Sequence, residues 1–246
     1  MLKDYDLKNP SEMFAEGFKI DSIDEAYKLQ MAVADLRANR GEKFVGYKIS
    51  LVSKGNQRIV GLNHPTWGKI WNTERYSDGV VLQKTNYSNP SMEAEFAVIL
   101  NRDLDLQNFD MNYLIDSIKS IHPVIEIHNF IFKGEPPKGH EYIANNAIHA
   151  GVIVGQGILN PKKNIETDLQ LIYDDCVVDS WKNKIWPNDM LNAMEWLINE
   201  KAKYGVKLKK GNIILTGSYG PPIPINDFEN IKVTSSSFGN VSATFV

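Results

Sequence analysis

The chain has 246 residues, of which 43% are hydrophobic, and this composition is sufficient for a substantial buried core. The net charge of −3 and the pI near 6.0 lack the basic excess of a nucleic-acid-binding protein, so we expect no nucleic-acid partner. No apolar run reaches about 18 residues and no charged-then-apolar leader is present, so we expect a cytoplasmic protein without a membrane span. The single cysteine, Cys176, excludes an internal disulfide and is expected to be a small buried hydrophobe.

The first strong local signal is a helix over residues 22–40. Ser22 and Glu25 form a capping box, and Gly41 follows the last residue. The apolar stripe of this helix comprises Ala26, Leu29, Val33 and Leu36. Punctuation by Gly, Asn and Pro then predicts short strands over 44–50, 79–82 and 93–100.

The second half of the chain alternates helix and strand signals. Asp110 is the predicted cap of a second helix, whose inward residues are Leu114, Ile115, Ile118 and Ile121. A strand over 123–127 follows, and Pro187 begins a third helix that carries Leu191, Met194, Leu197 and Ile198 and ends at Gly205. A strand over 212–215 and two more strands complete the chain. Without a repeat or a linker, we expect one domain over 1–246, with a helical segment (1–42) and a β-rich core (43–246).

Three glutamates in the middle of the chain indicate a metal site. Glu93 and Glu95 are two apart on a predicted strand and therefore share a face, while Glu126 interrupts an apolar run. A lone charge among Val and Ile is costly to bury without a cation or strong donors. An all-oxygen ligand set favours Mg²⁺ or Mn²⁺. A strand with glutamates on its solvated face is the ordinary alternative for the first pair.

The ordered series of motifs resembles the fumarylacetoacetate hydrolase superfamily, in its 2-keto-4-pentenoate hydratase and 4-oxalocrotonate decarboxylase branch. The motifs are SIDEAYKLQ at 22–30, GYKISLVS at 46–53, EAE at 93–95, EI at 126–127, NNA at 145–147 and LTGS at 215–218. The resemblance implies an α+β fold, with a β-rich roll of mixed strands, an N-terminal helix and a few packing helices. It also implies a homo-oligomer, and Mg²⁺ or Mn²⁺ bound by the three glutamates.

The resemblance also assigns roles to residues outside the ligand set. Lys48 matches the family's catalytic lysine and would exchange a proton with the substrate, although a charge at a strand edge would look the same. Gln57 matches a glutamine that contacts the substrate, and an exposed helical glutamine is its alternative. Gly217 and Ser218 would offer a backbone N–H or a hydroxyl to the substrate carboxylate, or form only a tight turn.

Several positions depart from the family pattern. Acids are replaced by Thr66, Asn129 and Asn145, and a serine is replaced by Ile148. These losses put water activation in doubt. The histidines beside the altered segments could supply a different acid and base set, with His149 as the leading candidate; these histidines are His64, His128 and His149. His128 alternates onto the face of Glu126, where it could support or bind the ion.

The function implied is that of a divalent-metal-dependent lyase acting on a small 2-oxo or 2-hydroxydienoic acid through a metal-stabilised dienolate, of the hydratase type. Decarboxylation or tautomerisation of a 2-oxo diacid remains open, because both reactions use the same electron sink. An acylpyruvate-type C–C hydrolase is a further enzymatic alternative. A noncatalytic metal-containing paralogue that binds a 2-oxo acid or a partner protein is the alternative from another class.

Overall fold

A computed structural model describes residues 1–7, 19–104, 110–132 and 137–246. The described α-helices are α1 (Leu2–Leu7), α2 (Ile23–Asn39), α3 (Lys54–Val60), α4 (Met111–Asp116), α5 (His140–Ala144) and α6 (Asn188–Ala202). Within this part of the chain, no helix combines the length and the hydropathy that a membrane span requires.

Most of the sequence folds into two mixed sheets. The larger sheet has the order β2-β1-β11-β5-β6-β7-β3, and two short strands, β12 and β8, pair with β5 and β6. Its strands are β1 (Phe44–Ser50), β2 (Thr66–Trp71), β3 (Arg75–Ser77), β5 (Pro90–Leu100), β6 (Ile118–Asn129), β7 (His149–Val154), β8 (Ile158–Leu159), β11 (Ile213–Leu215) and β12 (Ile223–Pro224). The smaller sheet, ordered β10-β9-β13-β14-β4, comprises β4 (Val80–Leu82), β9 (Ile165–Tyr173), β10 (Cys176–Trp186), β13 (Asn230–Ser235) and β14 (Gly239–Phe245).

Both faces of β5 are buried, which places the predicted acidic face inside the protein. Ala94, Phe96 and Val98 pack into the main hydrophobic core on one side. On the face shared with the glutamates, Ala97 packs with Val124 and other residues in a smaller cluster. The alternative of a solvated acidic face is therefore wrong for this strand.

Two of the three predicted helices have the expected bounds to within a few residues. Ser22 caps α2 by accepting a hydrogen bond from the N–H of Glu25. The apolar stripe of α6 is buried as predicted, at Leu191, Met194, Leu197 and Ile198.

The helix predicted from Asp110 is shorter than expected. Asp110 caps it, but α4 ends at Asp116, and Ile118 and Ile121 belong to β6. Their spacing is typical of a helical stripe, but in the structure they pair with Leu100 and Val98 of β5. Pairing with a long neighbouring strand outweighs a local helical pattern for β-branched residues.

The hairpin of β9 and β10 was not predicted, although β9 buries alternate residues from Thr167 to Tyr173. Cys176, at the start of β10, is exposed, so the expectation that it is buried was wrong. It lies at a turn between two strands, where a side chain can point into solvent.

Candidate metal centre and active site

The charged residues singled out in the sequence meet because their strands are close neighbours in the larger sheet. Glu93 of β5 lies opposite Glu126 of β6. His128 of β6 lies opposite His149 of β7. Lys48 comes from β1, which is separated from β5 only by β11. Strand register therefore brings residues that are distant in the chain to one buried location.

Glu126 is the centre of this group. Its Oε1 lies 3.2 Å from Lys48 Nζ and 2.6 Å from His149 Nδ1, and its Oε2 lies 3.3 Å from His128 Nε2. The same His128 Nε2 lies 3.0 Å from Oε2 of Glu93. Lys48 and Glu126 are respectively 0% and 1% exposed, so solvent does not screen their attraction.

These contacts set the protonation of the group. Burial opposes ionisation of Glu126, but Lys48 and His128 hold the pKa of its carboxyl well below the usual range. Burial also disfavours the charged form of Lys48, yet Glu126 and the other two glutamates raise the pKa of its amine above the ordinary value. The pKa of His128 is raised by Glu93 and Glu126 against the effect of burial. The surroundings thus favour an ionised Glu126 and a protonated Lys48.

Glu95 is fully buried beside this group and is held by the turn after β11. Its Oε1 accepts a hydrogen bond from the N–H of Gly217. Burial, followed by the charges of Glu126 and Glu93, raises the pKa of its carboxyl well above the usual range. Gly217 has φ +95°, and a Cβ there would lie 2.5 Å from Cγ1 of Val52, so the turn requires glycine.

The donor set fits a hard divalent ion. One ligand atom from each of Glu93, Glu126 and His128 lies within 4.8 Å of the others. Oε2 of Glu95 is buried without a hydrogen-bond donor in the described residues, and Oε2 of Glu126 has only the 3.3 Å contact with His128 Nε2. Buried carboxylate oxygens without donors are what a cation would stabilise. Glu95 lies outside the tight group that includes His128, so its place as a ligand stays a prediction.

A cavity of about 180 Å³ opens beside this centre. Glu93, His128 and Ser218 line it, and its remaining wall is mostly apolar, including Leu51, Ile59, Val60, Phe130, Ile148, Pro221 and Pro222. The Ser50 and Tyr142 hydroxyls also line it and lie 2.6 Å apart. Sequence reasoning missed both residues. Ser50 could have been found, since it is two residues from Lys48 on the same strand face.

The predicted substrate-binding residues have different surroundings. Gln57 donates from Nε2 to the Leu51 carbonyl at 2.8 Å, and it is not among the described residues that line this cavity. Ser218 lines the cavity and donates its hydroxyl to the Gly220 carbonyl at 2.8 Å. The N–H of Gly217 is already bonded to Glu95. Of the three, Ser218 is therefore best placed to contact a substrate.

The positions that depart from the family pattern are spread around the site. Ile148 lines the cavity, whereas Asn145 and His149 line a smaller cavity next to it. Oδ1 of Asn129 accepts hydrogen bonds from the backbone N–H groups of residues 88 and 89, at 2.8 and 3.2 Å, so its side chain holds a loop. Thr66 is fully buried and its Oγ1 has no hydrogen-bond partner in the described residues. His64 Nδ1 lies 2.7 Å from the Pro65 carbonyl.

A strained turn places His149. Asn146, Ala147 and Ile148 have φ values of 52°, 50° and 56°, a left-handed region that non-glycine residues rarely adopt in succession. The Asn146 side chain accepts from the N–H of Lys69 at 2.7 Å and donates to its carbonyl at 2.9 Å. The turn is thereby fastened to β2.

Curated relatives align with nearly the whole chain. A 2-keto-4-pentenoate hydratase of Burkholderia vietnamiensis is 28% identical over 222 residues, which cover 89% of this chain and 85% of the relative. A 2-oxo-hept-4-ene-1,7-dioate hydratase of Escherichia coli is 29% identical over 236 residues, covering 92% and 87%. No protein-family model matches the chain.

Solved structures share the fold. The 4-oxalocrotonate decarboxylase of Pseudomonas putida G7, complexed with magnesium and adipate, superposes with a TM-score of 0.88 at 21% identity and covers 100% of this chain and 94% of its own. The fumarylpyruvate hydrolase of Pseudomonas aeruginosa, in complex with Mn²⁺ and pyruvate, has a TM-score of 0.58 at 12% identity, with 83% and 89% covered.

The chain therefore has the predicted α+β fold, which it shares with the 4-oxalocrotonate decarboxylase. The predicted resemblance to the 2-keto-4-pentenoate hydratase and 4-oxalocrotonate decarboxylase branch is confirmed by both comparisons. The expected enzyme class and the expected dependence on Mg²⁺ or Mn²⁺ agree with these relatives and with the acidic centre of the chain.

Proposed function

We propose that this protein is a divalent-metal-dependent lyase that hydrates a small 2-oxo or 2-hydroxydienoic acid. The observation that carries the proposal is the buried group around Glu126, in which Glu93 and His128 face a substrate-sized cavity and Lys48 lies behind. The hydratases among the relatives support the same reaction class.

Glu93, Glu95 and Glu126 are the residues that would hold Mg²⁺ or Mn²⁺, with His128 as a further donor. When bound there, such an ion acts as a Lewis acid on the oxygens of a 2-oxo acid and so stabilises negative charge that spreads along the conjugated chain. Glu126 also holds the three basic side chains in place, so its loss would disturb more than one function.

Lys48 is the proposed proton carrier. Its Nζ is buried 3.2 Å from Oε1 of Glu126, so it lies beside the proposed metal ligands, where it is placed to exchange a proton with substrate carbon. His149 donates from Nδ1 to Glu126, and its Nε2 has no partner in the described residues. We propose that His149 orients Glu126 and offers Nε2 as a second proton site.

Hydration additionally requires an ordered water. The Ser50 and Tyr142 hydroxyls, 2.6 Å apart in the cavity wall, form a pair that can donate to and accept from one water molecule. This pair offers positioned polar groups in a chain that has Thr66 and Asn129 in place of the family acids. Ser218, with Gly217 and Gln57 as the more remote candidates, is proposed to contact the substrate carboxylate.

Decarboxylation of a 2-oxo diacid is the second candidate, because the 4-oxalocrotonate decarboxylase superposes over the whole chain. It needs an electron sink and no bound water, so the missing acids would matter less. Tautomerisation, acylpyruvate C–C hydrolysis and a noncatalytic binding role are the remaining alternatives.

Ultraviolet assays with 2-hydroxydienoates and with 2-oxo diacids, each with Mg²⁺ and with chelator, separate these functions. We expect the dienoate absorbance to decrease with time only when Mg²⁺ is present. The rate of this decrease should be about 100-fold lower, or lower still, in Lys48→Ala. The exposed Lys203→Ala is the matched control. Turnover that depends on neither Mg²⁺ nor Lys48 would refute the proposal, and release of CO₂ without hydration would establish the second candidate.

We further propose one catalytic domain over 1–246, a homo-oligomer and a cytoplasmic location. The main core includes residues from both the 1–42 segment and the 43–246 core, such as Ala26 and Phe96, which supports a single domain. Size-exclusion chromatography with light scattering measures the oligomeric state directly.

A further inference from the structure

A second cavity, of about 620 Å³, lies between α2, β2 and α6, and it shares no lining residue with the cavity beside Glu93 and His128. Four aromatic and five charged residues contribute to its walls. Tyr27 and Trp67 stack with ring centroids 4.5 Å apart at 7°, and Tyr47 meets Trp67 edge-on at 5.9 Å and 86°. Such rings are rigid, flat and apolar, and they suit a planar unsaturated ligand.

A buried lysine faces these rings. Lys201, on α6, is 3% exposed and lines the cavity, with Nζ 4.3 Å from the centroid of the Tyr47 ring and lying over the Trp67 ring. Among the described residues, no carboxylate lies within 4.0 Å of this amine and no hydrogen-bond acceptor pairs with it. The Trp67 indole N–H is likewise buried without an acceptor.

Charged residues of both signs surround this amine, and Glu200 acts on it against the effect of Lys69. Lys69 lines the same cavity and its charge, after burial itself, lowers the pKa of Lys201 to about 6. Asp24 and Asp35 lie on the α2 side of the wall, where Asp35 interacts with Lys69. The Lys201 amine and the Trp67 indole N–H are donors without an acceptor, and Lys69 lies nearby among the aromatic rings. An anion with a flat apolar body would satisfy the donors and pack against the rings.

We propose that this cavity is a second small-molecule site, distinct from the acidic centre, that binds a planar organic monocarboxylate. The carboxylate forms an ion pair with the protonated amine of Lys201. The apolar body of the ligand packs among the rings of Tyr27, Tyr47 and Trp67. The bound anion supplies a carboxylate in direct contact with Lys201, which no described acidic residue provides.

Calorimetric titration of the whole protein with benzoate tests the proposal, in the presence of saturating Mg²⁺ and oxalate to fill the acidic centre. We expect one benzoate per chain. Lys201→Met, which keeps the length and buried character of the side chain, should weaken benzoate binding by about tenfold or more. Lys203→Met, an exposed lysine on the same helix, should leave binding unchanged.

Benzamide, the uncharged isostere, should bind more weakly than benzoate to the native protein and equally to Lys201→Met. Hydratase assays of Lys201→Met should match the native protein, which confirms that the variant folds. Equal benzoate affinity of the native protein and Lys201→Met, competition of benzoate with oxalate for one site, or no benzoate binding at millimolar concentration would each overturn the proposal.

Discussion

Replacing Glu126 by glutamine tests the centre of the site with almost no change in shape. The amide keeps the volume of the carboxylate but removes its negative charge. Lys48, at 3.2 Å and fully buried, then lacks its nearest counter-charge, and the contacts with His128 and His149 weaken. Glu126→Gln therefore affects both folding and metal binding.

The expected loss of folding stability follows from these contacts. Removing one member of a buried ion pair typically costs about 3–5 kcal/mol, because the remaining charge is left unpaired. Glu93 and Glu95 still act on Lys48, which places this variant near the lower end, at about 3 kcal/mol. Relief of repulsion among the three glutamates acts in the opposite direction but is the smaller effect, since the pKa of Glu126 is lowered overall.

Urea unfolding in the presence of chelator measures the free energy of unfolding of the metal-free protein. Calorimetry with Mg²⁺ or Mn²⁺ measures the metal affinity. We expect a lower urea midpoint with an unchanged m-value. Metal affinity should fall by more than about 100-fold, because even the hydrogen-bond partners of ligands are worth about 10–100-fold. Glu195→Gln, an exposed change on α6, is the control and should alter neither quantity.

Unchanged metal affinity in Glu126→Gln would remove this residue from the ligand set. A metal-free stability equal to that of the native protein would show that the buried charges do not attract one another as the distances indicate. Either result would refute the reasoning applied to the site.

Three further changes test other parts of the structure. Gly217→Ala places a Cβ against a neighbouring valine at positive φ, and we expect the free energy of unfolding in urea to fall by about 2 kcal/mol. The control Gly205→Ala has open space around the added Cβ and should cost only about 1 kcal/mol. Equal losses in the two variants would contradict the clash. Burial and the charge of a nearby lysine lower the pKa of Lys201 to about 6. The unfolded chain keeps that proton up to a pH of about 10, whereas the folded protein loses it near pH 6. The stability of the native protein relative to Lys201→Met should therefore rise between these two pH values, by at most about 1.4 kcal/mol per pH unit. If the difference in urea midpoints stays constant across this range, Lys201 is not buried as described. Tyr142→Phe should lower hydration about 100-fold while Mg²⁺ affinity stays within about twofold, with the exposed Tyr204→Phe as control; full activity in stopped assays would exclude the hydroxyl pair as the water site.

The acidic centre could be predicted from the sequence because its signals are local. Strand alternation puts Glu93 and Glu95 on one face, and Glu126 stands out as a charge in an apolar run. The role of Lys48 came from motif resemblance, since its own neighbourhood looks like any strand edge. The structure adds that all four residues are buried together.

The remaining parts of the site depend on pairing between distant strands and on irregular turns. The contact of His128 with Glu93 requires the β5–β6 register, and that of His149 with Glu126 requires the β6–β7 register; no local pattern specifies either register. Tyr142 reaches Ser50 from a short helix 92 residues away in the chain. The misassigned helix over Ile118 and Ile121 has the same origin, since long-range pairing with β5 decided their conformation.

The two hydrogen bonds between the Asn146 side chain and the backbone of Lys69 constrain how the sequence can change. Strand β2 carries Trp67 in the wall of the aromatic cavity, and through these hydrogen bonds it also holds the turn that precedes His149. A substitution within β2 therefore has to satisfy two neighbours at once, the aromatic wall around Trp67 and the approach to His149 held by Asn146. Substitutions on α6 face only the first of these two constraints.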